Sequence, residues 1–224
     1  MTCSSLKARL QARLDPVSAW SPERTAGRSD YDLNPDHSRP ARELRPAAVL
    51  VPVIARAEGP SVLLTRRSDS LASHTGQIAF AGGRLDPGET ALDAALREAW
   101  EEIALEPAVV EPLGLGDPYE TVTGFLVTPV VGWLAAPPQV TPSPAEVAEV
   151  FEAPWNFLMD PVNHRRDYYD PDTGPRRWFW AMPYRERYIW GATAGILKGL
   201  FARLYGEEAA PLQAAQADAT ECAE

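Results

Sequence analysis

Cysteine and long apolar runs are scarce in this chain of 224 residues. Its two cysteines, Cys3 and Cys222, lie in polar sequence at opposite ends, which predicts neither a disulfide framework nor a cysteine metal site. The apolar run 47–55 is far too short to span a bilayer. The basic residues near the start precede no apolar core, so no signal peptide is predicted. We therefore expect a cytoplasmic protein without a membrane partner.

Positive charge is also in short supply. The chain has 21 Lys and Arg against 31 Asp and Glu, a net charge of −10, and only Lys7 and Lys198 are lysines. We attribute the preference for arginine to genome composition. A surface this acidic excludes non-specific binding to nucleic acid. An anionic small molecule would need local arginines or a bound cation.

The composition and length predict one globular domain with tails. Apolar residues make up 45% and charged residues 23% of the chain, as in ordinary globular proteins. Residues 1–45 are polar and predict an N-terminal extension, and 46–205 form the expected domain. The Ala-rich acidic stretch 206–224 is expected to be a disordered tail.

Hydrophobic periodicity and turn residues predict a mixed α/β fold. Strands are predicted at 47–54, 61–65, 77–80, 109–115, 125–134, 146–151 and 178–182. The pair Gly82-Gly83 is expected to end the third of these strands. Helices are predicted near 6–14, at 91–103 and at 191–204. Strands alternating with helices in this way favour a layered α/β sandwich.

The helix 91–103 has two chemically different faces. Thr90 is its predicted N-cap, with Asp93 completing a capping box. One side, the predicted core stripe, holds Leu92, Leu96, Ala99, Trp100 and Ile103. The other side, predicted to be uncovered, holds Glu98, Glu101 and Glu102 together with Ala91, Ala94 and Ala95.

The three glutamates either form a solvated acidic face or bind a cation. A loop rich in turn formers, with Gly82, Gly83, Pro87 and Gly88, precedes their helix. Mg²⁺ combines carboxylates with water and phosphate oxygens. A carboxylate cluster beside a glycine loop therefore predicts a site for a metal ion and a diphosphate.

This region resembles the Nudix box. Gly83, Glu89, Arg97-Glu98 and Glu101-Glu102 match its fixed positions at the family spacing, and Ala104 stands where the family has Gly. The resemblance implies an α/β/α sandwich with a mixed β-sheet between helices. It also implies metal-dependent hydrolysis of a phosphoanhydride bond with Mg²⁺ or Mn²⁺. If Ala104 keeps the left-handed backbone of that Gly, it costs about 1 kcal/mol.

The same resemblance implies a role for each matched residue. Glu98, Glu101 and Glu102 would be the catalytic metal ligands, and the carbonyl of Gly83 would add another ligand. Glu89 and Arg97 would form a structural brace between loop and helix. The general base is left open among four carboxylates, Glu101, Glu120, Glu146 and Glu149.

The preceding segment resembles a second signature, that of coenzyme A pyrophosphatases in the Nudix superfamily. The matching residues are Leu63-Leu64-Thr65, Arg67, Ser68, Gly76, Phe80 and Gly82-Gly83. Ala81 replaces the Pro of the pattern, and Ala72 replaces its Arg. The resemblance implies cleavage of coenzyme A to 3′,5′-ADP and 4′-phosphopantetheine. Without an Arg at position 72 we expect weaker binding of the substrate.

Candidate substrate-binding residues are Arg66, Arg67, Arg84 and Gly82. We interpret His74 as a packing or hydrogen-bonding residue. The aromatic residues Tyr184, Tyr188 and Trp190 could stack on an adenine, but we favour packing in the core for them. Two alternatives remain: a Nudix hydrolase of a nucleotide sugar or dinucleotide, which the Ala72 departure would favour, and a non-catalytic nucleotide-binding module. A homodimer is also left open.

Overall fold

The computed structural model describes residues 2–68 and 76–206. They contain two β-sheets and four α-helices. The helices are α1 (Cys3–Arg13), α2 (Ala91–Ile103), α3 (Trp155–Leu158) and α4 (Ala192–Tyr205). The strands of the large sheet are β1 (Arg28–Ser29), β2 (Arg45–Ile54), β3 (Ser61–Arg67), β4 (Ile78–Ala79), β5 (Gly82–Arg84), β6 (Glu111–Leu115), β7 (Tyr119–Glu120), β8 (Phe125–Leu134) and β9 (Val147–Pro154). The small sheet contains β10 (Arg165–Tyr169), β11 (Arg177–Tyr184) and β12 (Arg187–Trp190).

The large sheet is mixed and lies between helices. Its centre is the parallel pair β2–β8, β1 and β7 are also parallel, and its other strand pairs are antiparallel. Side chains of β2 alternate between two cores because successive residues of a strand point to opposite faces. Val51 and Val53 join the core that contains α1 and α4, whereas Leu50 and Ile54 join the core beneath α2. The predicted α/β/α sandwich is confirmed.

Helix α2 has the predicted bounds and the predicted N-terminus. The Thr90 side chain accepts a hydrogen bond from the Asp93 backbone N–H, and the Asp93 carboxylate accepts one from the Thr90 backbone N–H. The helix ends at Ala104, which adopts the left-handed conformation with φ 52° and ψ 34°. Alanine therefore stands in the backbone conformation that Gly favours, at a cost of about 1 kcal/mol.

The predicted core stripe of α2 was wrong at Trp100 only, whereas the side predicted to be uncovered is mostly buried. The buried side consists of Ala91, Ala94, Ala95, Ala99, Glu102 and Ile103, and Trp100 is 49% exposed. Of the predicted stripe, Ala99 and Ile103 are fully buried, and Leu92 and Leu96 are half-buried and pack against the same core. Small alanine side chains let the helix approach β2 and β5 closely, so side-chain size outweighs hydrophobicity here. The side that carries Glu102 consequently faces the sheet rather than solvent.

Three other features differ from the sequence predictions. Gly82-Gly83 does not end a strand but belongs to β5, which pairs with β2 through Val49↔Gly82 and Ala48↔Gly83. Of the small sheet, the sequence predicted only part of β11. Residues of the N-terminal extension also pack into the fold, because α1 buries Leu6 and Leu10 completely in the α4-side core.

Some predictions fall outside the described residues. Ala72 and His74 lie in the segment 69–75, which is outside the described residues. The predicted tail is also outside them, except for Gly206. Among the residues that are described, no helix has both the length and the apolar character needed to cross a membrane.

Candidate active site

A cavity of about 1610 Å³ opens beside the carboxylate side of α2 and gathers most of the predicted site residues. Those lining it are Arg67, Gly82, Gly83, Arg84, Glu89, Arg97, Glu98 and Glu102. Two predicted site residues, Arg66 and Glu101, do not line it. The glycine loop, the brace and two of the three glutamates thus share one space.

Three carboxylates line the cavity, those of Glu98, Glu102 and Glu146. Glu102, predicted to be exposed, is in fact only 4% exposed, and burial raises its pKa to about 8. The nearby negative charges of Glu98 and Glu146 raise it further, while Arg67 and a backbone hydrogen bond from Gly82 oppose the shift. Burial likewise raises the pKa of Glu98. A cation placed among these groups would be strongly favoured.

Glu146 reaches this cluster because its loop is tied to the end of α2. The Ser143 backbone N–H donates to the Glu102 carbonyl at 2.8 Å, and the Thr141 N–H donates to the Ile103 carbonyl at 2.8 Å. These bonds satisfy carbonyl groups that a helix C-terminus leaves free. Of the four candidate general bases, only Glu146 lines the cavity.

The other three candidates are engaged elsewhere. Glu101 is 56% exposed and accepts a hydrogen bond from Arg97 Nη1 at 3.2 Å. Glu120 is buried and pairs with Arg39. Glu149 forms an ion pair with Arg187. Their positions favour structural roles.

Arg97 connects the glycine loop to the helix in the geometry of the expected brace. Its Nε and Nη2 donate to the two carboxylate oxygens of Glu89 at 2.7 and 3.1 Å. Nη2 also donates to the Arg84 carbonyl at 3.1 Å, and Glu89 accepts the Asp86 backbone N–H at 2.8 Å. Arg97 therefore fixes the loop at two points, and its hydrogen bonds hold the pKa of Glu89 below its usual value.

Replacing Arg97 with alanine should lower the free energy of unfolding by about 1–3 kcal/mol at pH 7. Because the pKa of Glu89 is depressed in the folded protein, the pair stabilises above the unfolded pKa and loses this effect as pH falls through the folded value. The difference in melting temperature between wild type and Arg97→Ala should therefore shrink in acid. Glu89→Gln is the matched variant. Unchanged melting with lost catalysis would instead make Arg97 a direct catalytic contact.

The three candidate arginines differ in their positions relative to the cavity. Arg66 and Arg67 are adjacent in β3, where the pairing with β9 shifts register between them, and their side chains have different neighbours. Arg66 lies 3.7 Å from Glu149, away from the cavity, whereas Arg67 and Arg84 line it. Among the described residues, the buried Nε of Arg67 has no hydrogen-bond partner. A phosphate oxygen would satisfy that donor.

The donor set fits a hard divalent cation by its chemistry. No three acidic, histidine or cysteine side chains within 2–68 and 76–206 are already grouped as metal ligands. Glu98 and Glu102 nevertheless offer carboxylate oxygens on one wall of the cavity, beside the backbone of Gly82 and Gly83. Oxygen ligands of this kind are those that Mg²⁺ and Mn²⁺ prefer.

Sequence reasoning missed a second wall of the cavity. Asp30 and Asn34 come from the N-terminal extension, and Arg177, Phe179 and Trp190 come from the small sheet. Asp30, Asn34, Arg177 and Phe179 are far apart in the chain and carry no local motif. Trp190, expected to pack in the core, is half-buried on this wall, whereas Tyr184 is in the core as expected.

Comparison with known proteins agrees with this site. The Nudix domain family model matches residues 44–172. Two curated proteins, both called uncharacterized Nudix hydrolase NudL, are similar over three quarters of the chain. The protein from Enterobacter sp. (strain 638) is 42% identical over 173 residues, covering 75% of this chain and 87% of that protein. The one from Cronobacter sakazakii is 43% identical over 175 residues, with the same coverage.

Among solved structures, a Nudix hydrolase from M. smegmatis, RenU, is 25% identical with a TM-score of 0.42. The match covers 50% of this chain and 71% of that one. The family model and the curated relatives show that this chain belongs to the Nudix hydrolase family. Nudix hydrolases generally use divalent metal ions.

Proposed function

We propose that this protein hydrolyses the diphosphate bond of coenzyme A or its derivatives, giving 3′,5′-ADP and 4′-phosphopantetheine. The carrying observation is that Glu98, Glu102 and Glu146 line one cavity with Arg67 and Arg84. This combination suits a diphosphate, because carboxylates can hold a cation while arginines contact phosphate oxygens. The choice of coenzyme A rests on the second signature, which runs from Leu63 to Gly83.

In the proposed reaction, a water oxygen forms a bond to one phosphorus, and the bond from that phosphorus to the bridging oxygen breaks. The departing phosphate keeps the electron pair. Glu98 and Glu102 would hold Mg²⁺ or Mn²⁺, which neutralises diphosphate charge and acidifies bound water. Glu146 accepts the proton of the attacking water. Arg67 and Arg84 orient the diphosphate.

A hydrolysis panel tests the proposed function. The full-length protein would be assayed with coenzyme A, dephospho-coenzyme A, a nucleotide sugar and a dinucleoside polyphosphate, each with Mg²⁺ or Mn²⁺. Coenzyme A should give the highest kcat/KM, and both products should be identified by chromatography. Negligible cleavage of coenzyme A beside rapid cleavage of another diphosphate would remove the specificity claim. No cleavage of any diphosphate would support the non-catalytic alternative.

The adjacent pair Arg66 and Arg67 provides a matched test of diphosphate binding. Replacing Arg67 with alanine should raise KM about ten- to a hundredfold, since a charge-assisted contact is lost. The Arg66→Ala variant removes the same type of side chain from outside the cavity and should keep a KM near that of wild type. Steady-state kinetics on both variants would measure the difference, and an equal increase in KM would contradict the assignment of Arg67.

A further inference from the structure

The cavity is larger than a diphosphate and its metal ion require. Binding pockets for small ligands typically enclose about 300–1,000 Å³, whereas this one encloses about 1610 Å³. Besides the carboxylates of α2, the small sheet also lines this cavity. That sheet presents aromatic side chains to the same cavity as the glutamates.

These side chains form one continuous surface, which we call the aromatic face and define as Tyr169, Phe179 and Trp190. Residues directly opposite in antiparallel strands share a face, and the pairs Tyr169↔Arg177 and Ala181↔Trp190 place all three rings on the same side. The Phe179 and Trp190 ring centroids are 5.0 Å apart, and those of Tyr169 and Phe179 are 6.2 Å apart. All three rings are at least partly exposed to the cavity.

The position of the aromatic face is fixed from the N-terminal side of the chain. Strand β12 pairs with β11 only from Ala181 onwards. At Trp178, before that pairing begins, the buried side chain of Asn34 forms hydrogen bonds with the backbone of β11. Asn34 Nδ2 donates to the Trp178 carbonyl and Asn34 Oδ1 accepts the Trp178 N–H, both at 2.8 Å. Asn34 Nδ2 also donates to the Asp30 carbonyl at 2.8 Å. The carboxamide thus continues the strand pairing and holds this wall in place.

From this arrangement we infer that the aromatic face is the subsite for the purine base of the substrate. This inference rests on the proposed function, which supplies a substrate with a nucleotide half. The rings are tilted against one another, by 56° for Phe179 and Trp190 and by 35° for Tyr169 and Phe179, so a flat base would stack on one ring and contact the others at their edges. Bases stack on aromatic side chains whatever their hydrogen-bonding edges. The diphosphate then lies between this face and the carboxylates, and the pantetheine half lies away from the rings.

Binding of the two reaction products separates the two halves of the substrate. The full-length protein would be titrated by calorimetry with 3′,5′-ADP, 5′-AMP and 4′-phosphopantetheine in the presence of Mg²⁺. None of these probes contains a phosphoanhydride bond, so binding is measured without turnover. Trp190→Leu should weaken 3′,5′-ADP and 5′-AMP by about five- to a hundredfold and leave 4′-phosphopantetheine unchanged. Trp190→Phe, which keeps a ring, should retain most of the affinity.

Two neighbouring tyrosines give a control that does not depend on a half-buried residue. Tyr168 and Tyr169 are 38% and 45% exposed and point to opposite faces of β10, and only Tyr169 lines the cavity. Tyr169→Leu should weaken the adenine nucleotides several-fold, whereas Tyr168→Leu should bind them as wild type does.

Three outcomes would overturn the inference. The first is wild-type protein that binds neither adenine nucleotide. The second is normal binding of both adenine nucleotides by the Trp190→Leu and Tyr169→Leu variants. The third is a loss of affinity in these variants for 4′-phosphopantetheine alone, which would assign the face to the pantetheine chain. Failure of the proposed function is distinguishable from these. If coenzyme A is not cleaved but 5′-AMP binding still depends on Trp190 and Tyr169, the base subsite stands with a different nucleotide substrate.

Discussion

Replacing Glu102 with glutamine should reduce kcat for diphosphate hydrolysis by about 10²-fold or more. Glutamine keeps the shape of the side chain but removes the charge that would bind the metal ion. Saturating Mg²⁺ should not restore the rate if Glu102 is a ligand. Near-normal turnover at saturating Mg²⁺ would remove Glu102 from the site. Glu101→Gln is the informative comparison, because the outward position of Glu101 predicts a much smaller loss.

The same Glu102→Gln variant should be at least as stable as wild type when metal ions are removed with a chelator. Burial and neighbouring carboxylates raise the pKa of Glu102 to about 8 in the folded chain. Between the unfolded pKa and about 8, the folded state therefore binds more protons, and stability falls as pH rises. Glutamine does not titrate, so the variant should escape this loss. Its melting temperature should exceed that of wild type near pH 8. A large decrease instead would show that the loss of activity reflects unfolding.

Local sequence signals predicted the elements that carry the proposed chemistry. Helix α2 and strand β8 have the bounds that periodicity indicated, because capping residues and apolar repeats act within one element. The spacing of Glu98 and Glu102 also places them on one side of α2. Hydrophobicity did not predict that this side of α2 faces the sheet rather than solvent. This orientation depends on how closely the helix approaches the sheet, and therefore on its alanines.

Features that depend on contacts between distant segments were not predictable from the sequence. The aromatic face requires β11 and β12 to be paired, and its support comes from Asn34, more than a hundred residues earlier in the chain. The choice between Arg66 and Arg67 similarly depends on how β3 pairs with β9, because the register of that pairing shifts between these two residues. The sequence carries no local signal for such a shift.

The glycine pair in β5 should give the most informative contrast between loss of activity and loss of stability. A Cβ atom at Gly83 would lie 2.6 Å from the Glu98 Cδ, so Gly83→Ala must displace the Glu98 carboxylate. That carboxylate is the end of a flexible side chain, so the fold should tolerate the change. A shift of about 1 Å in a catalytic group can cost about 10²-fold in rate. We therefore expect a loss of that order in kcat, with a melting temperature near that of wild type.

Gly82→Ala should have the opposite effect. Its Cβ would lie 2.7 Å from the Val49 Cα and even closer to the Ala48 carbonyl, and neither backbone atom can move without disrupting the β2–β5 pairing. The expected result is a loss of about 1–3 kcal/mol in the free energy of unfolding. Urea denaturation and steady-state kinetics on both variants would measure the contrast. A Gly83→Ala enzyme with normal kcat and normal metal affinity would show that hydrolysis does not require Glu98 in its observed position.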